Sequence, residues 1–102
     1  MSIPKPYQRF KADHPELVGA YESLGRACAS AGPLDSKTVA LVKLACSISN
    51  GLEGAAHSHT RKALAAGCTA EEVEHVAILT TPTIGFPAMM RGRSWVRDVT
   101  ET

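Results

Sequence analysis

The residues of this chain best suited to chemistry lie in one short segment, which holds Glu53, His57 and His59. Histidine is the main side chain that gains or loses a proton near neutral pH, so two histidines beside a carboxylate suggest acid–base chemistry. Residues four apart on an α-helix share one face, which lets Glu53 orient the imidazole of His57 or share a proton with it. We therefore predict a catalytic site formed by Glu53, His57 and His59.

A metal site is the weaker interpretation of the same segment. His59 lies about 200° around the helix from His57, so a His-x-His pair within a helix is a poor chelate. A metal would instead pair Glu53 with His57, and with His75 or a residue of a neighbouring subunit. We predict no bound metal and no cofactor. An equally weighted alternative is that Glu53 and His57 form a polar pair that only fixes helix packing or an oligomer interface.

Arg61 is the candidate substrate-binding residue, because a guanidinium can donate two parallel hydrogen bonds to a substrate carboxylate. It could instead pair with Glu72. The commonest role for Arg61 and Lys62 is a solvated helix face.

Composition limits the partners that this chain can have. It contains 102 residues, with 11 Lys and Arg against 10 Asp and Glu and a formal net charge of +1. Such a balance favours neither nucleic acid nor an acidic surface as partner. The N-terminus lacks the apolar core of a signal peptide, and no window approaches the ~20 apolar residues of a membrane span. We expect a cytoplasmic protein with a small-molecule substrate and with no nucleic-acid or membrane partner.

The three cysteines, Cys28, Cys46 and Cys68, form no close pair. Their odd number and wide spacing argue against a disulfide framework or a zinc knuckle. We interpret all three as structural thiols. Cys68, just before a predicted helix, is the one to test for reactivity.

The elements that must position these residues are all helical. Apolar residues recur at helical spacing, and no alternating run is long enough to predict a strand. We predict one all-α domain of about five to six helices over residues 13–102, with Asp13 capping the first helix ahead of Pro15. Residues 1–12, which include two prolines, are predicted to be an extended arm.

Capping signals divide the rest of the chain into helices. A helix that is apolar around much of its circumference begins at Asp35 or Ser36 and should be the central buried element. Gly67 is a C-cap for the histidine-bearing helix, and Thr69 with Glu72 fits a capping box. The two prolines and the glycine of residues 82–87 must break the chain, and a last helix runs from about residue 87 to 99.

A domain this small and rich in alanine buries little apolar surface by itself, which favours oligomerisation. Aromatic residues and methionine are enriched in interfaces. The predicted subunit interface therefore consists of the apolar face left over by the helix that begins at Asp35 or Ser36, together with Phe86, Met89, Met90 and Trp95. The alternative is that these residues close the core of a monomer.

The run from His59 to Val73, followed by Thr-Ile-Gly-Phe-Pro-Ala at residues 83–88, resembles the carboxymuconolactone decarboxylase family, which includes the AhpD-like alkylhydroperoxidases. The matching features are the spacing from His59 to Gly67, the capped helix that follows and the Gly-Phe-Pro-Ala turn. Three motifs that occur in the same order are more specific evidence for the family than any one of them alone. The resemblance covers roughly residues 34–96. It implies an all-α homo-oligomer, a trimer or a hexamer, with pockets near subunit contacts.

The cysteines and glutamates that perform the known chemistries of this family are missing. The peroxidase branch carries a CxxC motif just before its histidine, and those positions hold Leu52 and Ala55. Without a thiolate no nucleophile attacks a peroxide and no disulfide forms. The proton-relaying glutamate of that branch falls near Ala40, and the glutamate of the lactone decarboxylases falls at Ala55. The chain resembles instead a cysteine-less branch with the segment Glu-Gly-Ala-x-His-Ser-His-x-Arg.

Three functional hypotheses follow. The first is an acid–base, lyase-like enzyme that acts on a small organic acid, lactone or carbonyl compound through Glu53, His57 and His59. The second is a non-catalytic oligomeric binding or scaffold protein of the same fold. The third and weakest is a peroxidase that uses Cys46 or Cys68.

Overall fold

The computed structural model describes residues 3–102, which fold into seven α-helices without a strand. The all-α class predicted from the sequence is therefore confirmed. These residues form two compact units, one that ends at Leu34 and one that comprises Asp35–Thr102. The first unit contains α1 (Lys5–Asp13) and α2 (Pro15–Ser30). The second contains α3 (Ser36–Ser49), α4 (Glu53–Ala65), α5 (Ala70–Leu79), α6 (Thr81–Ile84) and α7 (Phe86–Thr100).

The N-terminal segment contains a helix where we expected an extended arm. α1 begins directly after Pro4, with Pro6 in its first turn. Proline is tolerated there because the first N–H groups of a helix have no acceptor within the helix. His14, rather than Asp13, occupies the N-cap position of α2. Residues 1–2 of the predicted arm lie outside the described residues.

α3 is the central helix of the second unit, where it packs against α4, α5 and α7. The carboxylate of Asp35 accepts a hydrogen bond from the backbone N–H of Thr38 at 2.8 Å, which caps the helix and lowers the pKa of Asp35. Leu44 and Ile48 are fully buried in the core, whereas Val42 is half exposed. The predicted central helix is therefore present, with one face left uncovered within this unit.

The connection between α4 and α5 has the predicted capping residues. α4 ends at Ala65, and Gly67 adopts a φ of +102°, which favours glycine because it lacks a Cβ. Thr69 and Glu72 form the capping box through hydrogen bonds of 2.8 and 3.1 Å. The buried Cys68 lies between α4 and α5 in sequence, and its side chain is part of the apolar core. The two helices are thus joined by a short, well-capped turn.

α7 approaches α3 closely. The predicted break before it consists of the one-turn helix α6 and of Gly85, whose φ of +97° is rare for residues with a side chain. On α7, a Cβ added to Gly92 would overlap the side chain of Ile48. Glycine at this position therefore sets the distance between the two helices.

The residues predicted to form a subunit interface divide between surface and interior. Phe86 and Met90 are exposed, whereas Met89 is buried and Trp95 is partly buried against the core. None of the helices within residues 3–102 combines the length and the apolar character needed to cross a membrane.

Candidate functional site

α4 carries all four predicted site residues and is fixed by its small buried face. Ala56, Thr60 and Ala63 are fully buried, and the Thr60 hydroxyl donates a hydrogen bond to the carbonyl of Ala56 at 2.7 Å. These positions follow the i, i+4, i+7 spacing of one helix face. Their small side chains let α4 lie close to α3 and to α7. Packing of this face fixes the position of α4, and therefore also the positions of the other residues of the helix.

His57 is hydrogen-bonded to Asp98 of α7, with a distance of 2.9 Å between Nε2 and Oδ2. His57 is 8% exposed, whereas Asp98 is largely exposed. Asp98 was absent from the sequence-based site. No spacing rule links residues 41 positions apart, and only the packing of α7 on α4 brings the two together.

Glu53 lies beside this pair. One carboxylate oxygen of Glu53, one ring nitrogen of His57 and one carboxylate oxygen of Asp98 all lie within 4.8 Å of one another. Glu53 is exposed. The partner that holds the His57 ring by a hydrogen bond is Asp98, and we refer to Glu53, His57 and Asp98 as the α4–α7 cluster.

His59 lies outside the α4–α7 cluster and has different surroundings. Its side chain is partly buried, and its Nδ1 atom is buried without a hydrogen-bond partner among residues 3–102. Burial lowers the pKa of His59 below its ordinary value of 6.5, and the positive charges of Lys62 and Lys43 act in the same direction. The imidazole is therefore neutral at neutral pH, which is the form that accepts a proton.

Arg61 is partly buried, and its Nη1 atom has no hydrogen-bond partner within the described part of the chain. The alternative partner considered for it, Glu72, is engaged by Thr69 and lies 3.7 Å from the ammonium group of Lys37. A buried N–H donor without an acceptor is unfavourable. Nη1 of Arg61 is therefore a donor whose acceptor is missing within residues 3–102.

None of the three cysteines is a residue of α4. Cys28 on α2 and Cys46 on α3 are exposed, and Cys68 is buried after the end of α4. The residues at the two positions of the peroxidase motif are Leu52 and Ala55.

These features define an all-helical domain in which one alanine-rich, histidine-bearing helix packs among three others. The sequence profile of the carboxymuconolactone decarboxylase family matches residues 15–98. The chain belongs to this family, which confirms the resemblance drawn from its motifs.

One solved structure shares the fold: the apo form of a carboxymuconolactone decarboxylase family protein from Legionella pneumophila. Its TM-score with this chain is 0.79 at 24% sequence identity, over 94% of this chain and 86% of that protein. Comparison with curated proteins finds no significant match.

Proposed function

We propose that the protein is an acid–base enzyme of the carboxymuconolactone decarboxylase family, with His59 as the group that transfers the proton. The observation that carries this proposal is the partly buried imidazole of His59, whose pKa is lowered and whose Nδ1 atom has no partner among the described residues. A neutral, partly buried histidine is suited to accept a proton from a bound molecule and to return it. Its position also matches the histidine of the family motif.

The substrate in this proposal is a small organic acid, or a lactone or carbonyl compound that carries a carboxylate. Lys43 and Lys62 lie close enough to His59 to lower its pKa, so they also favour a negative charge beside it. Arg61 adds a guanidinium nitrogen with no partner among residues 3–102. A carboxylate would satisfy that donor and form a charge-assisted hydrogen bond.

Glu53 and His57 have a supporting role in this proposal. The hydrogen bond from His57 to Asp98 joins α4 to α7. Holding α4 in this position also fixes His59, two residues further along the same helix. We propose that His57 positions the site rather than exchanging a proton with the substrate.

We also propose that the enzyme is a cytoplasmic homo-oligomer, a trimer or a hexamer, in which exposed apolar residues such as Phe86 and Met90 are covered by neighbouring subunits. Thiol peroxidase activity is left out of the proposal, because Leu52 and Ala55 replace the paired cysteines.

The decisive experiment compares the wild type with His59→Gln on a panel of small lactones and carbonyl compounds, each with and without a carboxylate. Decarboxylation and ring opening are followed by CO₂ release and by absorbance. Removing a general acid or base typically lowers kcat by a factor of roughly 10² to 10⁴. We expect a loss of that size in His59→Gln, and a raised KM for carboxylate-bearing substrates in Arg61→Gln.

The matched control is His75→Gln, which removes an exposed imidazole from α5. It should leave turnover unchanged. Equal turnover by the wild type and His59→Gln would disprove the role of His59. Binding of a panel member without turnover would favour the scaffold alternative.

A further inference from the structure

We infer that the α4–α7 cluster, formed by Glu53, His57 and Asp98, binds a divalent transition-metal ion such as Zn²⁺. From the sequence we predict no metal, because a His-x-His pair within a helix is a poor chelate and the third ligand beside Glu53 and His57 is not defined. Asp98 supplies a third ligand from α7. This inference is independent of the acid–base role proposed for His59, which lies outside the cluster.

The types of ligand atom suit such an ion. An imidazole nitrogen and two carboxylate oxygens are ligands that Zn²⁺ and its first-row neighbours accept, whereas Mg²⁺ and Ca²⁺ prefer oxygen alone. Three protein ligands leave at least one coordination position open to water or to a small anion. The site therefore resembles an exchangeable metal centre more than a closed structural one.

The geometry is close to what binding requires. Metal–ligand distances of about 2.0 to 2.2 Å place neighbouring ligand atoms roughly 3 to 3.5 Å apart. Nε2 of His57 and Oδ2 of Asp98 are 2.9 Å apart, and the cluster as a whole spans at most 4.8 Å. Glu53 is exposed at the start of α4, so its side chain can rotate to close the remaining gap without disturbing the core.

Burial fixes the histidine in the orientation that a ligand needs. His57 is 8% exposed, and its ring is held with Nε2 directed toward the carboxylate of Asp98. Zn²⁺ binds a neutral imidazole, so a metal would replace the proton that Nε2 and Asp98 now share. His57, the most buried of the three ligands, is thus already oriented for metal binding.

The charge balance also favours a cation. Two carboxylates meet one imidazole, and within residues 3–102 neither carboxylate pairs with an arginine or a lysine. Arg97 adjoins Asp98 in sequence, but its guanidinium pairs with Glu74 and Glu101 instead. A divalent cation would neutralise the negative charges of Glu53 and Asp98, with which Arg97 does not pair.

The test is a titration of the full-length protein with Zn²⁺ by calorimetry, and with Co²⁺ by visible absorption and NMR. We expect one saturable ion per chain, a rise in Tm on adding Zn²⁺ and a paramagnetic shift of the His57 ring protons. The shift should exceed that of the ring protons of His14 and His75. Because both carboxylates are exposed, Glu53→Gln and Asp98→Asn should fold normally and weaken binding by about tenfold or more each.

Glu71→Gln is the matched control, since it removes an exposed carboxylate from α5 in the same compact unit. It should bind Zn²⁺ like the wild type. Absence of saturable binding by the wild type would overturn the inference. So would unchanged affinity in both Glu53→Gln and Asp98→Asn, because the ion would then be bound elsewhere on the chain.

Discussion

His57 and His59 show how two identical side chains, two positions apart, acquire different chemistry. His57 points toward α7, where the carboxylate of Asp98 accepts or shares its Nε2 proton. His59 is partly buried without a carboxylate partner among the described residues, and burial together with two lysines lowers its pKa. The difference follows from helical geometry, since residues two apart lie on opposite sides of a helix. His57 thereby has a carboxylate partner, whereas Nδ1 of His59 has no hydrogen-bond partner within residues 3–102.

The lowered pKa of His59 predicts a pH dependence of stability. The unfolded chain takes up a proton at this residue near the ordinary pKa of 6.5, before the folded chain does. The free energy of unfolding should therefore fall as the pH drops below that value, and it should level off once the pH passes the folded-state pKa. Above that range the residue contributes no pH dependence.

The measurement is urea unfolding of the wild type and of His59→Gln between pH 8 and pH 5. The stability of the wild type relative to the variant should decrease on acidification, because the two proteins share every other ionisable group. A relative stability that increases toward low pH would mean that the folded protein favours the protonated form of His59.

At the scale of the elements, the close approach of α7 to α3 places Asp98 near α4. Gly92 faces Ile48 with no room for a Cβ, and Val96, one turn further along α7, is fully buried. Asp98 follows on the same helix, so the position of its carboxylate depends on this contact. We therefore expect Gly92 to contribute to the stability of the protein and to the position of Asp98 in the α4–α7 cluster.

We expect Gly92→Ala to destabilise the protein by about 1 to 3 kcal/mol, which is the typical cost of forcing a methyl group into a packed core. The matched control is Gly25→Ala on α2, where nothing lies within 4 Å of the added Cβ. Alanine should stabilise that helix by roughly 0.5 to 1 kcal/mol. Thermal and chemical unfolding measure both effects. Equal stability of the two variants would contradict close contact between α3 and α7.

At the scale of the whole molecule, apolar surface remains exposed in each compact unit. In the second unit Phe86 is 61% exposed, and Val42 and Met90 are also exposed. In the first unit the exposed apolar residues of α2 are Leu17, Tyr21 and Leu24, at helical spacing. Exposed apolar surface of this kind is typical of proteins that associate. It supports the homo-oligomer proposed from the sequence.

We expect the purified chain to elute in light-scattering chromatography well above its mass of 10.8 kDa. Phe86→Glu should shift the distribution toward the monomer, because a carboxylate is costly to bury in an apolar interface. Glu71→Gln, an exposed substitution that changes no apolar contact, should keep the wild-type distribution. A wild-type protein that elutes as a monomer at all concentrations would disprove the assembly.

The sequence by itself determined the helical class, most helix ends and the family. Local signals decide these features. The spacing of apolar residues predicts the helices, and Asp35 and the Thr69–Glu72 capping box mark where two of them begin. Gly67 and Gly85 lie at turns whose positive φ favours glycine. The predicted extended arm and the predicted Asp13 cap are wrong. The two prolines of the arm lie at the start of α1, where proline is allowed, and His14 occupies the N-cap position of α2.

Only the tertiary structure decided which side chains meet. The sequence placed Glu53, His57 and His59 in one segment, but it contained no signal that Asp98 would reach His57 from α7. Nor could it show that His59 and Arg61 would each bury a nitrogen that has no partner among residues 3–102. Contacts between distant helices depend on packing angles and distances, which arise from the whole core and not from any local pattern.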